Sequence, residues 1–233
     1  MFFQARSTQV ESFDSRERTP MEVADGYRQL ARANRVFFFS HPFVRTLPKL
    51  LGAERCRQLT LLDIGAGDGS LGQALTRWAR NRGWRWDVTN LDANPLALQL
   101  NPTGPNVVGS ALSLPFPANH FDIVIASQMT HHLATNEEVT THFREALRVA
   151  REGVVLSDLH RNGFLFGMVW FWTILLRFDS EMRKDGLLSV RRGFCLKEWQ
   201  SCAHAANIPS ARVWLYFGTR IMLEARKPVQ RLP

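Results

Sequence analysis

The chain has 233 residues, 45% of them hydrophobic, which suits one domain with a core of ordinary size. Its 29 Lys and Arg against 21 Asp and Glu give a net charge of +8, but the arginines are scattered and form no dense basic tract, so a solvated surface is favoured and nucleic acid is the minority reading. Three cysteines (Cys56, Cys195, Cys202), odd in number and without C-x-x-C spacing, disfavour a disulfide framework and a zinc site, and the absence of an apolar leader at Met1–Arg6 predicts a reducing, cytoplasmic setting.

Residues 1–19 are polar and mixed in charge, and read as a flexible N-terminus. Thr19-Pro20 is an N-cap and first-position pair, and Val23, Tyr27, Leu30, Ala31 and Asn34 place a helix from there to about Arg35. A second helix is expected from Pro42 to Leu51, so that residues 20–54 form a helical cap. Strands follow at Leu59–Ile64, Arg85–Leu91, Asn106–Val108, Phe121–Ala126 and Val154–Ser157, with helices at Ser70–Arg82, Pro95–Leu100 and Glu137–Arg151 between them. A helix at Lys197–Ala206 precedes an antiparallel pair, Ala211–Tyr216 and Arg220–Ala225. The alternation predicts an α/β, Rossmann-like, doubly wound and mostly parallel sheet with an antiparallel C-terminal pair, spanning 55–226 with an insertion at about 160–195.

The run Leu61-Leu62-Asp63-Ile64-Gly65-Ala66-Gly67-Asp68-Gly69-Ser70 reads as strand, tight turn and helix start. Glycine is needed there for positive φ or for close approach of a ligand to the backbone, and the helix N-terminus favours an anionic group. Ser70 stands where the third glycine of the dinucleotide fingerprint would fall, and no Gly-Lys-Ser/Thr follows, which excludes a P-loop. A structural turn can also carry such glycines with no ligand. Asp92, with Ala93 beside it, lies 23 residues past Gly69 at the end of the second strand, where a carboxylate can accept both ribose hydroxyls; a solvated cap of the Pro95 helix competes.

The Asp63–Gly69 turn, Asp92, Leu114-Pro115-Phe116 and Phe121-Asp122-Ile123-Val124 together resemble the class I S-adenosylmethionine-dependent methyltransferases, in particular the group similar to ubiquinone/menaquinone-biosynthesis methyltransferases. The resemblance covers about residues 55–226. It implies S-adenosyl-L-methionine as cofactor. The turn at Asp63, Gly65, Ala66 and Gly67 would pass under the methionine moiety and Asp92 would hold the ribose. Ala111 and Leu112 would flank adenine, and Ser127 and Gln128 would approach the methionine end. Ser110 stands where the family often has Asp, so adenine recognition leans on the Ala111 main chain. Arg35 and His41 would reach the cofactor carboxylate if the first helices close over it.

Methyl transfer from a sulfonium is an in-line displacement, so the protein mainly aligns the reactants and excludes water, with a base for an oxygen acceptor. His132, of the pair His131-His132 after the fourth strand, and His160, in Ser157-Asp158-Leu159-His160-Arg161 after the fifth, are the base candidates; packing or capping is the competing role. Asp-Leu-His-Arg is similar to a branch of these enzymes linked to small aromatic or polyketide-type products. Arg192 would orient an acceptor anion or cap the next helix. The His pair lacks i, i+4 spacing and a third ligand, so no metal is expected.

Residues 163–176 (GFLFGMVWFWTILL) are apolar on every face, yet too few for a membrane span of about 20 residues. A buried core helix is the leading reading; a wall of an apolar acceptor pocket and a peripheral membrane contact are the others. The reaction expected is methylation of an oxygen or activated carbon on a small apolar acceptor, aromatic, quinone-like or polyketide-type, with no obligate protein partner. The rivals are an RNA or other nucleic-acid methyltransferase and a homologue that binds cofactor without catalysis.

Overall fold

In a computed structural model, which describes residues 3–15 and 17–227, seven strands form one sheet in the order β3-β2-β1-β4-β5-β7-β6. The strands are β1 (Gln58–Ile64), β2 (Arg85–Asp92), β3 (Asn106–Val108), β4 (Phe121–Ser127), β5 (Ala150–Leu159), β6 (Arg212–Tyr216) and β7 (Arg220–Arg226). The first five are parallel, and β7 runs antiparallel to both β5 and β6. The Rossmann-like sheet with its antiparallel C-terminal pair is therefore as the sequence predicts. Strand order reverses beside β1, and in open α/β sheets ligands bind at the carboxyl ends of the strands flanking such a switch.

The central strands are buried on both faces because helices cover both. On one face β1 and β4 present Leu61, Ile123 and Ile125 to Leu71 and Leu75 of α4 (Ser70–Arg80) and to Phe43 and Leu47 of α3 (His41–Leu51). On the other, Leu62, Ile64 and Val124 meet Phe143 of α6 (Asn136–Val149) and Trp199 of α9 (Leu196–Ala205). Each such side chain contributes about 1.5–3 kcal/mol. Because Phe43 and Leu47 are fully buried in this core, α3 is part of the sheet's cover rather than of a separate cap.

The N-terminal helix α2 (Pro20–Val36) starts at a capping box, in which Thr19 Oγ1 accepts the Glu22 N–H and the Glu22 carboxylate accepts that of Thr19. Ahead of it, α1 (Ser12–Ser15) and residues 3–11 are tied down, contrary to the expectation of a free arm. Ser7 N–H donates to Arg191 O, and both Ser12 and Phe13 N–H groups donate to the Asp185 carboxylate. Those acceptors lie on α8 (Ser180–Arg192), a helix that sequence periodicity does not reveal. Short polar segments read as frayed when their partners are almost 180 residues away.

α7 (Gly163–Leu175) overturns the buried-core reading of residues 163–176. Only Leu165 and Thr173 are buried, while Phe164, Trp170, Phe171, Ile174 and Leu175 are exposed. It packs on α8 through one side, and nothing covers the other among the described residues. None of the described helices is long and apolar enough to cross a membrane.

Candidate active site

Gly65, Gly67 and Gly69 all adopt left-handed backbone, with φ of 68°, 56° and 72°. The requirement is plainest at Gly67, where a Cβ would sit 2.6 Å from Tyr27 Cε1 as well as needing positive φ. Tyr27 of α2 thus lies over the turn, and Met129 lies against Gly65. The turn is braced from the next strand: Gly65 and Ala66 N–H donate to Leu91 O at 2.8 and 3.0 Å, and Gly67 N–H donates to Asp92 Oδ2 at 2.8 Å. Gly109 N–H donates to Asp92 O, so the Ser110 loop joins the same place. The structure brings the Asp63–Gly69 turn, Asp92 and Ser110 together at the ends of β1, β2 and β3.

Asp63 is buried beneath the turn, and burial, then the charges of Asp92 and Asp68, push its carboxyl well above the usual carboxylate range. A backbone hydrogen bond from Gly72 opposes the rise, and Asp63 Oδ2 has no partner among the described residues. Asp68 and Asp92 set two carboxylates beside the turn, and a ligand with positive charge would also favour ionisation of Asp63 beneath it. S-adenosyl-L-methionine carries a sulfonium and an ammonium, and the residues present fit it.

The other predicted cofactor contacts are more scattered. Ala93 and Ser110 are exposed, and Ser110 Oγ accepts the Leu112 N–H at 3.1 Å. Ala111 and Leu112 are half-buried, and neither ring nitrogen of the buried His142 of α6 has a hydrogen-bond partner among the described residues. Ser127 Oγ is buried without a partner among the described residues, which leaves a donor at the end of β4. Gln128 has φ 56°, and its amide donates to Asn34 Oδ1 at 3.4 Å, linking β4 to α2. Arg35 is exposed on the last turn of α2, and His41 Nδ1 pairs with Tyr216 Oη at 2.7 Å.

The candidates for catalysis part company. Arg192 does not orient an acceptor: its guanidinium is buried and donates to the main-chain carbonyls of Gln9, His131 and His132. It clamps the N-terminal arm to the turn after β4. His132 is exposed beside that clamp. Its neighbour His131 is buried, with Nδ1 2.7 Å from Asp158 Oδ1 and its N–H donated to Asp158 Oδ2 at 2.8 Å. Burial would raise the Asp158 carboxyl, but the His131 ring and these hydrogen bonds bring it below its ordinary value. His160 Nδ1 lies 3.0 Å from Gly218 O and 2.7 Å from Asn162 Nδ2. With its proton on Nδ1, Nε2 presents the lone pair.

Glu11, His131 and His132 bring one ligand-capable atom each within 4.8 Å of one another, a third partner that the sequence spacing did not suggest. Glu11, however, already accepts from Ser189 Oγ and has Arg192 Nε at 3.8 Å, and His131 Nδ1 serves Asp158. Cationic arginine fills the place of a metal there.

Beyond the ends of β5 and β7 a cavity of about 330 Å³ opens between residues 37–42 and the hairpin at 216–220. Its walls are aromatic (Phe37, Phe38, Tyr216, Phe217) apart from His41, Pro42, Thr219 and Arg220. Arg220 is 5% exposed, and its Nη1 has no hydrogen-bond partner among the described residues. Burial brings its guanidinium down to about 10, against the opposing charges of Asp158 and Tyr216.

Residues 62–157 match the family model described as "Methyltransferase domain". This stretch is a methyltransferase domain. The chain is 27% identical over 138 residues to the ribosomal protein L11 methyltransferase of Laribacter hongkongensis, a match that takes in 57% of this chain and 44% of that protein, so the chain matches less than half the length of that relative. Among solved structures it is similar to a SAM-dependent methyltransferase from Aquifex aeolicus (TM-score 0.60, 15% identity, 90% of this chain and 99% of that one). The magnesium protoporphyrin IX methyltransferase of Synechocystis with bound SAH (0.57, 13%, 88% and 95%) and the plantazolicin methyltransferase BamL with SAH (0.64, 10%, 89% and 95%) share the fold.

The methyltransferase domain carries the glycine turn and Asp92, but several residues around it escape sequence reasoning. Tyr27 is legible as a helix position and not as the cover of Gly67. Met129 and Asp158 reach the site through the ends of β4 and β5, and Arg220 reads as a surface arginine in a chain full of them. A buried arginine opening a strand carries no periodic signal that separates it from an exposed one.

Proposed function

We propose that the chain transfers the methyl group of S-adenosyl-L-methionine to an oxygen or activated carbon of a small, flat, apolar acceptor that bears an ionised oxygen, of the aromatic, quinone-like or polyketide type. The observation that carries this reading is Arg220, buried in an aromatic wall with Nη1 unpaired. A buried guanidinium donor costs free energy until an anion accepts from it, and planar apolar walls take flat ligands. One strand, β5, separates β7 from β4, so the cavity lies about 10 Å across the sheet from the end of β4. An acceptor held at Arg220 can reach the methionine end of the cofactor from there.

When bound, the cofactor supplies an electrophilic methyl group on sulfur. The chain's own residues do the rest. The Gly65–Gly67 backbone and Asp92 fix the cofactor, Tyr27 and Met129 cover the turn, and the aromatic walls keep water from the acceptor. Arg45 Nε donates to His41 Nε2 at 3.4 Å, so a neutral His41 holds its proton on Nδ1 and donates it to Tyr216 Oη. The Tyr216 hydroxyl hydrogen is then left for the acceptor, a second donor beside Arg220. His160, whose N–H donates to the cavity residue Thr219, is the base we carry forward for a protonated acceptor.

Labelled methyl transfer to a panel of phenols, quinone precursors and polyketide pyrones tests the reading. Turnover is expected on at least one of them, with Arg220→Met raising the acceptor KM at least about tenfold while SAH affinity, read by calorimetry, stays within about twofold. Labelling of RNA or of ribosomal protein, with none of the panel, would overturn it.

A further inference from the structure

We propose that α7, the 37–38 corner and the 217 hairpin tip form one surface that docks on an anionic lipid bilayer. The apolar side chains are displayed outward. Phe164, Trp170, Phe171 and Leu175 of α7 are each more than half exposed, and Phe38 and Phe217 are 73% and 78% exposed. On α7 the exposed positions follow helical spacing, so they form one stripe along a helix of 13 residues, about 20 Å long. A helix of that length cannot cross the roughly 30 Å hydrocarbon core and can lie in its interface.

Three contacts hold these segments together. Asn162 Nδ2 at the start of α7 donates to Gly218 O at 2.9 Å. Arg32 Nη1 of α2 donates to Leu176 O at its other end at 3.5 Å. Phe37, Phe38 and Phe217 line the same cavity. The stripe therefore continues into the rim of that opening.

Charge selects the occupant. Residues 26–53 contain Arg28, Arg32, Arg35, Arg45 and Lys49 and no acid; residues 159–178 add Arg161 and Arg177, and residues 212–220 add Arg212 and Arg220, again without an acid. Three segments that meet around one apolar surface thus carry nine cations and no carboxylate, in a chain with 21 Asp and Glu. Arg161 and Arg220 are buried, and Arg28 and Arg212 pair with Asp25 and Glu224 from outside these segments, so the surface charge comes from the other five. Exposed aromatics framed by basic residues match the headgroup region of an anionic leaflet, where each Lys or Arg near the surface adds to the attraction. A second copy of this chain would bring the same positive charge to the contact and be repelled. The inference stands apart from the acceptor reading, because it uses the outward face and not the buried donor.

Co-sedimentation of the full chain with vesicles of phosphatidylglycerol and phosphatidylcholine, against phosphatidylcholine alone, tests it. Binding is expected on the anionic vesicles and should fall steeply as salt rises from about 0.05 to about 0.5 M. The Trp170→Ser/Phe171→Ser variant should lose at least about tenfold of that partitioning while keeping its circular dichroism and its SAH affinity. Phe217→Ser, on a separate element, should weaken it in the same direction. Absence of wild-type binding to anionic vesicles would overturn the proposal, as would undiminished binding by the double variant. A wild-type dimer in sedimentation velocity, made monomeric by the double variant with no vesicle binding by either, would assign the surface to a second copy instead.

Discussion

Asp92 Oδ2 accepts the Gly67 N–H at 2.8 Å while Asp92 Oδ1 accepts the Asn94 N–H at 2.8 Å, so one carboxylate sets both the turn after β1 and the start of α5 (Pro95–Gln99). Charge-assisted hydrogen bonds of this kind are worth about 1.5–3 kcal/mol each. Asp92→Ala should therefore loosen the turn itself as well as remove the proposed ribose acceptor. We expect SAH affinity to fall at least about tenfold by calorimetry, with Asp92→Asn intermediate because one acceptor oxygen survives.

Gly69 and Gly83 separate two costs of adding a methyl group. Both have positive φ, 72° and 71°, but a Cβ at Gly83 meets nothing within 4 Å, whereas at Gly69 it would lie 2.2 Å from Asn101 Nδ2. Gly83→Ala should cost about 1–2 kcal/mol from backbone strain alone. Gly69→Ala should cost about 1–3 kcal/mol more, since Asn101 also bonds Asn106 and Gln73 and cannot move freely. Urea unfolding of the two variants measures the difference.

The His131–Asp158 pair is buried on both sides, so removing either partner should destabilise strongly. Asp158→Ala or His131→Ala is expected to cost about 3–5 kcal/mol, and the double variant less than the sum of the two. A denaturant double-mutant cycle reads the coupling. Equal costs for the sum and the double variant would show that the two act separately.

Burial lowers His142 from 6.5 to about 4, so the folded protein keeps a neutral ring there while the unfolded chain takes up a proton. Stability from this group is complete above pH 6.5 and is lost as pH falls from there toward 4. At pH 5 the loss amounts to about 2 kcal/mol. Asp158, held below its ordinary value, adds a further loss below about pH 4. Asp63 has the opposite sign, because its raised carboxyl favours the folded state as pH falls. Between pH 8 and pH 5 the unfolding midpoint of the wild type should therefore fall relative to that of His142→Leu, which lacks this group while sharing Asp63.

The sheet was legible because its strands are short apolar runs closed by turn residues, and observed boundaries fall within about two residues of expectation except at β5, whose first residues Ala150-Arg151-Glu152 look helical. The Thr19-Pro20 N-cap pair and the glycine turn are local signals and were equally plain, whereas the reciprocal bond from Glu22 came only with the structure. α8 was hidden, since Ser180–Arg192 is polar nearly all round and packs through Met182 and Val190. The burial of α7 was misjudged because an apolar helix with no polar face carries no stripe to say which side meets the core. Arg192 was placed by its neighbours in sequence, and its carbonyl partners come from elements about 60 and 183 residues away.

Titration calorimetry of the wild-type chain and Gly67→Ala with S-adenosyl-L-methionine tests the cofactor site most directly. A Cβ at Gly67 meets Tyr27 and needs positive φ in the one turn that Asp92 braces. One bound cofactor per wild-type chain and at least about tenfold weaker binding by a folded Gly67→Ala variant is the predicted result. Absence of binding by the wild type, or equal affinity in the two, would contradict it.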